Sequence, residues 1–283
     1  MGKLPILLLS FLFLSLFCNG QIVKQTIKKC DCSSKIVTDS LITKYIDNGS
    51  DKHHRHYSEF QLYLDSLIAI CPLAIAYREK AIPFIMGGDY AKAFPLEDKA
   101  VELEPKTYTA YRAFLKCIFT KDYFGAITDF EKAQQLTPDG YEMDHTYFFY
   151  MGLCNLELKN YTAAEENFQR DISIQTRGDK GNTPHFNSLL YAGILYFEMK
   201  NIVKAKEFLL QCLKAYSNSP DANYYLALTY NLEGDINTKR QYLRAAYEAV
   251  SNGYLLNETN EAFTYYPHQI TLFEVEKEIN NRK

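Results

Sequence analysis

Apolar residues recur along this chain at helical spacing, in short stripes separated by polar turns. Leu189, Gly193 and Tyr196 form one stripe, and Ala205 and Leu209 belong to the next. Such spacings place side chains on one face of an α-helix. The turn "MKN" between the two stripes is so short that the helices run antiparallel as a hairpin. No segment sustains the alternation of apolar and polar residues that a strand would show, so the sequence predicts an all-α protein.

This hairpin repeats along the chain. In one register the pattern returns after 33 residues, and in a second register, which joins Gly193 to Ala227, it returns after 34. A unit around Gly152 lies between them and has the same order of features. The loops that flank it, "TPDGYEMDHT" and "TRGDKGNTPHF", are rich in turn-forming residues, so their additional residues belong outside the helices. The first register pairs Asp89 with Asp122, Tyr90 with Tyr123, Ala93 with Ala126, Ala100 with Ala133 and Pro105 with Pro138.

The repeated unit resembles the tetratricopeptide repeat, a pair of helices with a period of about 34 residues. The resemblance implies a right-handed superhelical solenoid of antiparallel helix pairs with about five to six repeats. Phe114 departs from the pattern at a small position, Pro95 falls within a second helix, and Lys239 and Asp171 each replace an alanine. The matching residues are Ala81, Gly152, Gly193, Ala227, Tyr196 and Tyr230 in first helices, Ala93, Ala126, Ala164, Ala205, Ala100, Ala133 and Ala246 in second helices, and Pro105 and Pro138 after them.

The repeats occupy about residues 74–252, and the sequence predicts one further segment on each side of them. Residues 21–73 contain weaker helical stripes and form an N-terminal segment with a degenerate repeat. Residues 253–283 contain an amphipathic stretch that we expect to form a capping helix, because the last unit of a solenoid would otherwise expose an apolar face.

Residues 1–20 have the pattern of a secretory signal peptide. Lys3 precedes an apolar run that ends at Phe17, and the small residues Cys18 and Gly20 fit a cleavage site before Gln21. The run is shorter than the ~20 residues that span a bilayer, so no transmembrane span is expected after cleavage. We therefore expect a secreted or periplasmic protein. The alternative is a lipid anchor at Cys18, although Phe17 stands where lipoprotein signals resemble one another in having a small residue.

The cysteines fall into two groups. Cys117, Cys154 and Cys212 lie in apolar helical runs, where cysteine usually behaves as a small buried hydrophobic residue. Cys30 and Cys32 form the motif "CDC" near the start of the mature chain. Because an exported protein meets oxidising conditions, one of these two could form a disulfide with Cys71.

The net charge and the sequence motifs limit which classes of partner and activity the sequence favours. The net charge is −3 and both signs are mixed throughout, which does not favour nucleic acid or an anionic membrane as a partner. The chain has no GxSxG, HExxH, P-loop or dinucleotide-binding motif, so we expect a non-enzymatic protein that uses no cofactor and no metal. The alternative is an accessory, catalytic or metal-binding role for "CDC" and the segment "HHRH", with the repeats as a platform. His53, His54 and His56 supply ligand types suited to zinc or copper.

The resemblance also implies a binding surface, because the first helices of such repeats line a concave groove. Here the groove would be largely apolar, and a stripe so apolar should be covered. Either an extended or helical segment of a partner protein or the chain's own segment from Tyr265 to Ile279 could cover it. The partner protein or peptide would contact Tyr111, Leu115, Ile118, Phe149, Leu153, Leu156, Leu190, Ile194, Phe197, Tyr224, Leu228 and Asn231.

Overall fold

Each predicted hairpin forms two antiparallel α-helices, and consecutive hairpins pack side by side as an all-α solenoid. The computed structural model describes residues 30–177, 183–256 and 265–281, so the expected signal peptide lies outside the described residues. The helices are α1 (Lys35–Ile42), α2 (Ser58–Ile70), α3 (Ala74–Met86), α4 (Tyr90–Leu103), α5 (Pro105–Leu115), α6 (Tyr123–Leu136), α7 (Tyr147–Glu157), α8 (Tyr161–Gln175), α9 (Phe186–Glu198), α10 (Ile202–Ala215), α11 (Pro220–Leu232), α12 (Ile236–Ser251) and α13 (Leu272–Asn280).

Short irregular elements interrupt this series. A 3₁₀ turn covers Ser50–Lys52, and π-helical turns cover Thr43–Asp47 and Lys116–Thr120. The loop between α6 and α7 contains an antiparallel ribbon of two short strands, β1 (Tyr141–Glu142) and β2 (His145–Thr146). None of the helices in the described ranges is both long and apolar enough to cross a membrane.

The turn within each of the five hairpins from α3–α4 to α11–α12 has the same backbone form. A residue with positive φ follows the first helix, and the next residue is the N-cap of the second. In four of the five, the side chain of that next residue, Asp89, Asp122, Asn201 or Asp235, accepts a hydrogen bond from the backbone and caps the second helix. The residues with positive φ are Gly88, Lys121, Lys159, Lys200 and Gly234.

Gly193 lies where α9 crosses α10. A Cβ atom at this position would stand 2.7 Å from Cγ of Leu209 and 3.2 Å from the backbone nitrogen of the same residue. Gly152 has the corresponding role in the preceding hairpin, where a Cβ would approach the ring of Phe168 to 2.6 Å. The absence of a side chain at these glycines lets the two helices of a hairpin pack closely.

We expect Gly193→Ala to lower the free energy of unfolding by about 1 to 3 kcal/mol, because the added methyl group overpacks the helix crossing. The cost of overpacking exceeds the gain of about 1 kcal/mol that alanine otherwise brings to a helix interior. Urea unfolding of the wild type and the variant measures the net change. Val203→Ala is the control, since Val203 lies on α10 with 75% of its surface exposed and should change stability by less than about 0.5 kcal/mol. A Gly193→Ala protein more stable than the wild type would contradict the packing role.

The π-helical turn after α5 explains the irregular second unit. In the other four hairpins, the amide that starts the second helix bonds to the carbonyl five residues before it, whereas Asp122 bonds to Lys116, six residues before it. The turn therefore adds one residue. Ala113, which is fully buried, thereby takes the position that glycine or alanine occupies in the other units. Phe114 instead lines a surface recess beside α5. Pro95, another of the four departures, does not interrupt its helix, because α4 continues through it to Leu103.

The N-terminal hairpin has a small core of its own. Its α2 stripe is buried at Phe60, Leu64 and Leu67. Cys32 forms a disulfide with Cys71, with Cα atoms 5.7 Å apart, and Cys30 remains a free thiol. This bond attaches the segment before α1 to the end of α2. The larger core runs through the remaining hairpins and includes Val275 of α13.

Candidate binding site on the helix-A face

The first helices of the five hairpins, α3, α5, α7, α9 and α11, form one side of the solenoid, which we call the helix-A face. Residues 265–281, which we call the C-terminal strap, cross the part of this face formed by α7, α9 and α11. The strap begins with a non-helical stretch that turns at Pro267 and His268, and it ends in α13, which packs on α12. Of the two coverings that the sequence left open, the chain's own C-terminal segment is the one that lies over this part of the face.

Backbone groups of the strap bond to side chains of the solenoid. The hydroxyl of Tyr191 donates to the carbonyl of Pro267 at 2.5 Å, and Nζ of Lys121 donates to the carbonyl of Tyr265 at 2.6 Å. The backbone amide of Ile270 donates to Oδ1 of Asp221 at 2.8 Å. Side chains of this face therefore bind main-chain groups of the strap.

Charged groups also hold the strap. Nε2 of His268 lies 2.9 Å from a carboxylate oxygen of Glu157 on α7. Burial would raise the pKa of Glu157, but the hydrogen bond and charge of His268, together with Tyr123 and Lys121, outweigh burial and lower it. Burial raises the pKa of Asp221 to about 7. At the end of the strap, Lys239 on α12 forms an ion pair of 2.6 Å with Glu278.

The residues predicted to line the groove divide into two sets. Those in the first set expose at most 2% of their surface and belong to the core: Leu115, Ile118, Phe149, Leu153, Leu156, Leu190 and Ile194. The second set is half-buried: Tyr111, Phe197, Tyr224, Leu228 and Asn231. Only the second set of the predicted residues therefore reaches the surface. Ile194 lies in the core, so a substitution there would not test a binding surface.

An open recess remains on the N-terminal half of the helix-A face, and we call it the helix-A recess. It has a volume of about 380 Å³ and lies between α3 and α5. Tyr266 of the strap forms one wall, and Met143 at the tip of the ribbon forms another. The apolar residues that line it are Ile82, Ile85, Met86, Tyr111, Phe114, Leu115, Ile118, Phe119, Met143 and Tyr266. Its volume and its mostly apolar lining are typical of binding pockets.

Two arginines are the charged groups that line the recess. Arg55 comes from the turn before α2, and Arg78 comes from α3. The guanidinium of Arg78 lies over the ring of Tyr111, 4.9 Å from its centroid, and pairs with Glu79. Arg78 and Tyr111 also line an adjacent cleft of about 200 Å³, which is more polar and includes Glu142. The recess thus combines an apolar floor with a polar edge.

Sequence reasoning missed several residues of the recess. Only Tyr111, Leu115 and Ile118 had been expected there. Phe114 had been assigned to the packing stripe, since the π-helical turn that shifts it is not visible in residue spacing. Met143 lies in a loop, where helical periodicity gives no information. Ile82 and Ile85 continue the groove stripe into the first hairpin and could have been found from the same pattern.

The "CDC" and "HHRH" segments offer little as a metal site. Cys32 is bonded to Cys71 and has no thiolate to donate. His53 stacks on Tyr63, and His54 lies against His56 with ring centroids 5.2 Å apart. Within the ranges that the structure describes, no group of three or more His, Cys, Asp or Glu side chains is placed to hold a metal ion. The geometry does not favour this alternative.

Comparison with known protein families identifies one of the repeats. Residues 187–219 match a family profile described as tetratricopeptide repeat. No curated protein sequence matches the chain.

Solved structures share the fold at low sequence identity. PilW, a type IV pilus biogenesis factor, has 12% identity and a TM-score of 0.58, and the match covers 75% of this chain and 92% of PilW. PilF of Pseudomonas aeruginosa has 16% identity and a TM-score of 0.57, covering 76% and 94%. MamA of Desulfovibrio magneticus has 15% identity and a TM-score of 0.54, covering 64% and 96%.

Proposed function

We propose that this tetratricopeptide repeat protein is a non-enzymatic interaction protein that binds a segment of a partner protein in the helix-A recess. The observation that carries the proposal is the open apolar recess between α3 and α5, next to a face already covered by the chain's own strap. The partner segment would place an apolar or aromatic side chain in the recess. Its backbone would approach Tyr266, where the strap begins.

The strap supports a polypeptide segment as the ligand. On the same face it is held by side chains that bond to backbone carbonyls and to a backbone amide. The recess adds Met86 and Met143, which expose 42% and 55% of their surfaces. Methionine side chains are flexible and polarizable, so they adapt to differently shaped apolar groups. Arg78 and Glu142 at the polar edge would select the residues that flank the apolar anchor.

Selection from a library of displayed peptides tests this proposal without knowledge of the natural partner. The selected peptides should share an apolar or aromatic residue, and Met86→Glu should weaken their binding at least tenfold, or about 1.4 kcal/mol. A buried anchor contributes more than this, and the introduced carboxylate would have to lose water beside it.

Met199→Glu is the matched control. Met199 exposes 39% of its surface, close to the value for Met86, but lies after α9 and outside the recess lining. Peptides should bind this variant as they bind the wild type. Selected peptides that bind the Met86→Glu protein undiminished would contradict the recess as the binding site.

We also infer that the protein acts outside the cytoplasm. The signal-like pattern of residues 1–20 supports export, and the disulfide between Cys32 and Cys71 is of a kind that persists in oxidising compartments. N-terminal sequencing of the mature protein should give a chain that begins at Gln21. Recovery of the intact chain from the cytoplasm alone would contradict this inference.

A further inference from the structure

Two free cysteines meet inside the solenoid. Cys117 lies in the π-helical turn after α5 and Cys154 lies in α7, and their sulfur atoms are 3.4 Å apart. Both residues are fully buried. They stand 37 residues apart in the sequence, close to one repeat, so adjacent first helices bring them side by side. The remaining buried cysteine, Cys212, lies on α10, the second helix of its hairpin.

We propose that Cys117 and Cys154 form a second disulfide, which joins the first helices of two successive hairpins. A disulfide has a sulfur–sulfur distance of about 2.05 Å, so the two thiols need to approach by about 1.4 Å. Side-chain rotation and small helix shifts provide movements of this size. The existing bond between Cys32 and Cys71 belongs to the same redox environment.

The oxidant would be a low-molecular-weight disulfide such as oxidised glutathione. The thiolate of one cysteine attacks this disulfide, forms a mixed disulfide and releases one glutathione thiolate. The thiolate of the other cysteine then attacks the mixed disulfide and releases the second glutathione. Two electrons pass from the protein to the oxidant, and the protons of the two cysteines go to the two released thiolates.

Burial determines when this exchange occurs. It raises the pKa of the Cys154 thiol, so the folded protein contains little of the reactive thiolate. The bond would form during folding or in a transient opening of the α5–α7 contact. Once formed, it would be shielded from reductants by the same packing.

The position of the bond connects it to the helix-A face. Cys117 precedes Ile118, which lines the helix-A recess, and Cys154 lies three residues before Glu157, which holds the strap. A covalent link here fixes the spacing of α5 and α7 between the open and covered parts of the face. The inference does not depend on a partner in the recess.

Peptide mapping tests the bond. The full chain is equilibrated in oxidised and reduced glutathione, quenched in acid, denatured, alkylated and digested without reduction. We expect the peptides that contain Cys117 and Cys154 to be recovered as one linked pair, two hydrogen masses lighter than the separate thiols. Cys212 is the internal control, because it is equally buried and should carry the alkyl group.

Alkylation of Cys117 and Cys154 to the same extent as Cys212 would overturn the proposal. Linkage of either residue to Cys30 or Cys212 would overturn it as well. The variant Cys154→Ala provides a second readout that needs no stable variant fold, since the chain is denatured before alkylation. In this variant Cys117 should become fully alkylated, and a Cys117 that stays blocked would show that another group had reacted with it.

Discussion

Glu97→Gln is expected to stabilise the protein by about 3 to 5 kcal/mol at pH 9 while changing its stability little at pH 4. Glu97 lies on α4 with no exposed surface, and burial raises the pKa of its carboxyl group to about 8. Arg78 and Arg112 act in the opposite direction, but burial outweighs them. In the part of the chain that the structure describes, neither carboxyl oxygen has a hydrogen-bond partner. The folded protein therefore strongly favours the neutral acid.

The direction of the pH effect follows from the two protonation states. Between its unfolded pKa of 4.5 and its folded pKa of about 8, the unfolded chain has lost this proton while the folded chain retains it. Wild-type stability thus contains a contribution that is fully present below about pH 4.5 and is lost as the pH rises to about 8. Each unit of pKa difference corresponds to about 1.4 kcal/mol. Glutamine has nearly the same shape and no charge, so it removes this loss.

Urea unfolding of both proteins from pH 4 to pH 9 measures the effect. The difference between variant and wild type isolates Glu97, because other titrating groups such as Asp221 contribute equally to both proteins. Glu102→Gln is the matched control on the same helix, where 64% of the side chain is exposed. That exposed change should alter stability by about 0.5 kcal/mol or less at every pH. A Glu97→Gln difference that is independent of pH would contradict the assignment.

The repeated part of the fold could be predicted because its determinants are local. Glycine or alanine at the helix crossing, Asp or Asn at the start of each second helix and apolar residues at helical spacing recur with the period of the unit. The structure places Gly152 and Gly193 against Phe168 and Leu209, at the helix crossing of each hairpin. The register failed only around Phe114, where a hydrogen bond spanning one additional residue marks a π-helical turn that sequence spacing does not show.

The binding surface could be predicted only in part, because its extent depends on contacts between distant segments. Periodicity identifies which side of a helix is apolar, but it does not show what covers that side. Tyr191 and Asp221 are buried because Pro267 and Ile270, about 50 to 75 residues later, lie against them. Glu97 escaped notice for a similar reason, since a glutamate in a helix is usually exposed. The helix-A recess lies beside Tyr266, where the strap begins.

Phe149→Ala should lower the free energy of unfolding by about 3 to 5 kcal/mol, as expected for removing a fully packed aromatic ring. Phe149 had been predicted to line an open groove, yet its side chain has no exposed surface. Its ring stacks on His145 at 4.0 Å and meets the edge of Tyr191 at 5.6 Å. Tyr266 of the strap lies 6.4 Å away. The residue therefore belongs to the core beneath the strap.

Chemical unfolding distinguishes a buried ring at Phe149 from a ring that lines an open groove. Phe124→Ala serves as the control. Phe124 lies on α6 with 70% of its surface exposed, so the same substitution there should cost about 0.5 kcal/mol or less. A ring in an open groove would likewise cost little, whereas a ring buried by the strap would leave a cavity whose walls lose their contacts. Equal effects of Phe149→Ala and Phe124→Ala would show that the strap leaves this part of the face open. The large difference that we expect would place the ring in the core of the solenoid, where His145 and Tyr191 pack against it, and not in a groove open to a partner segment.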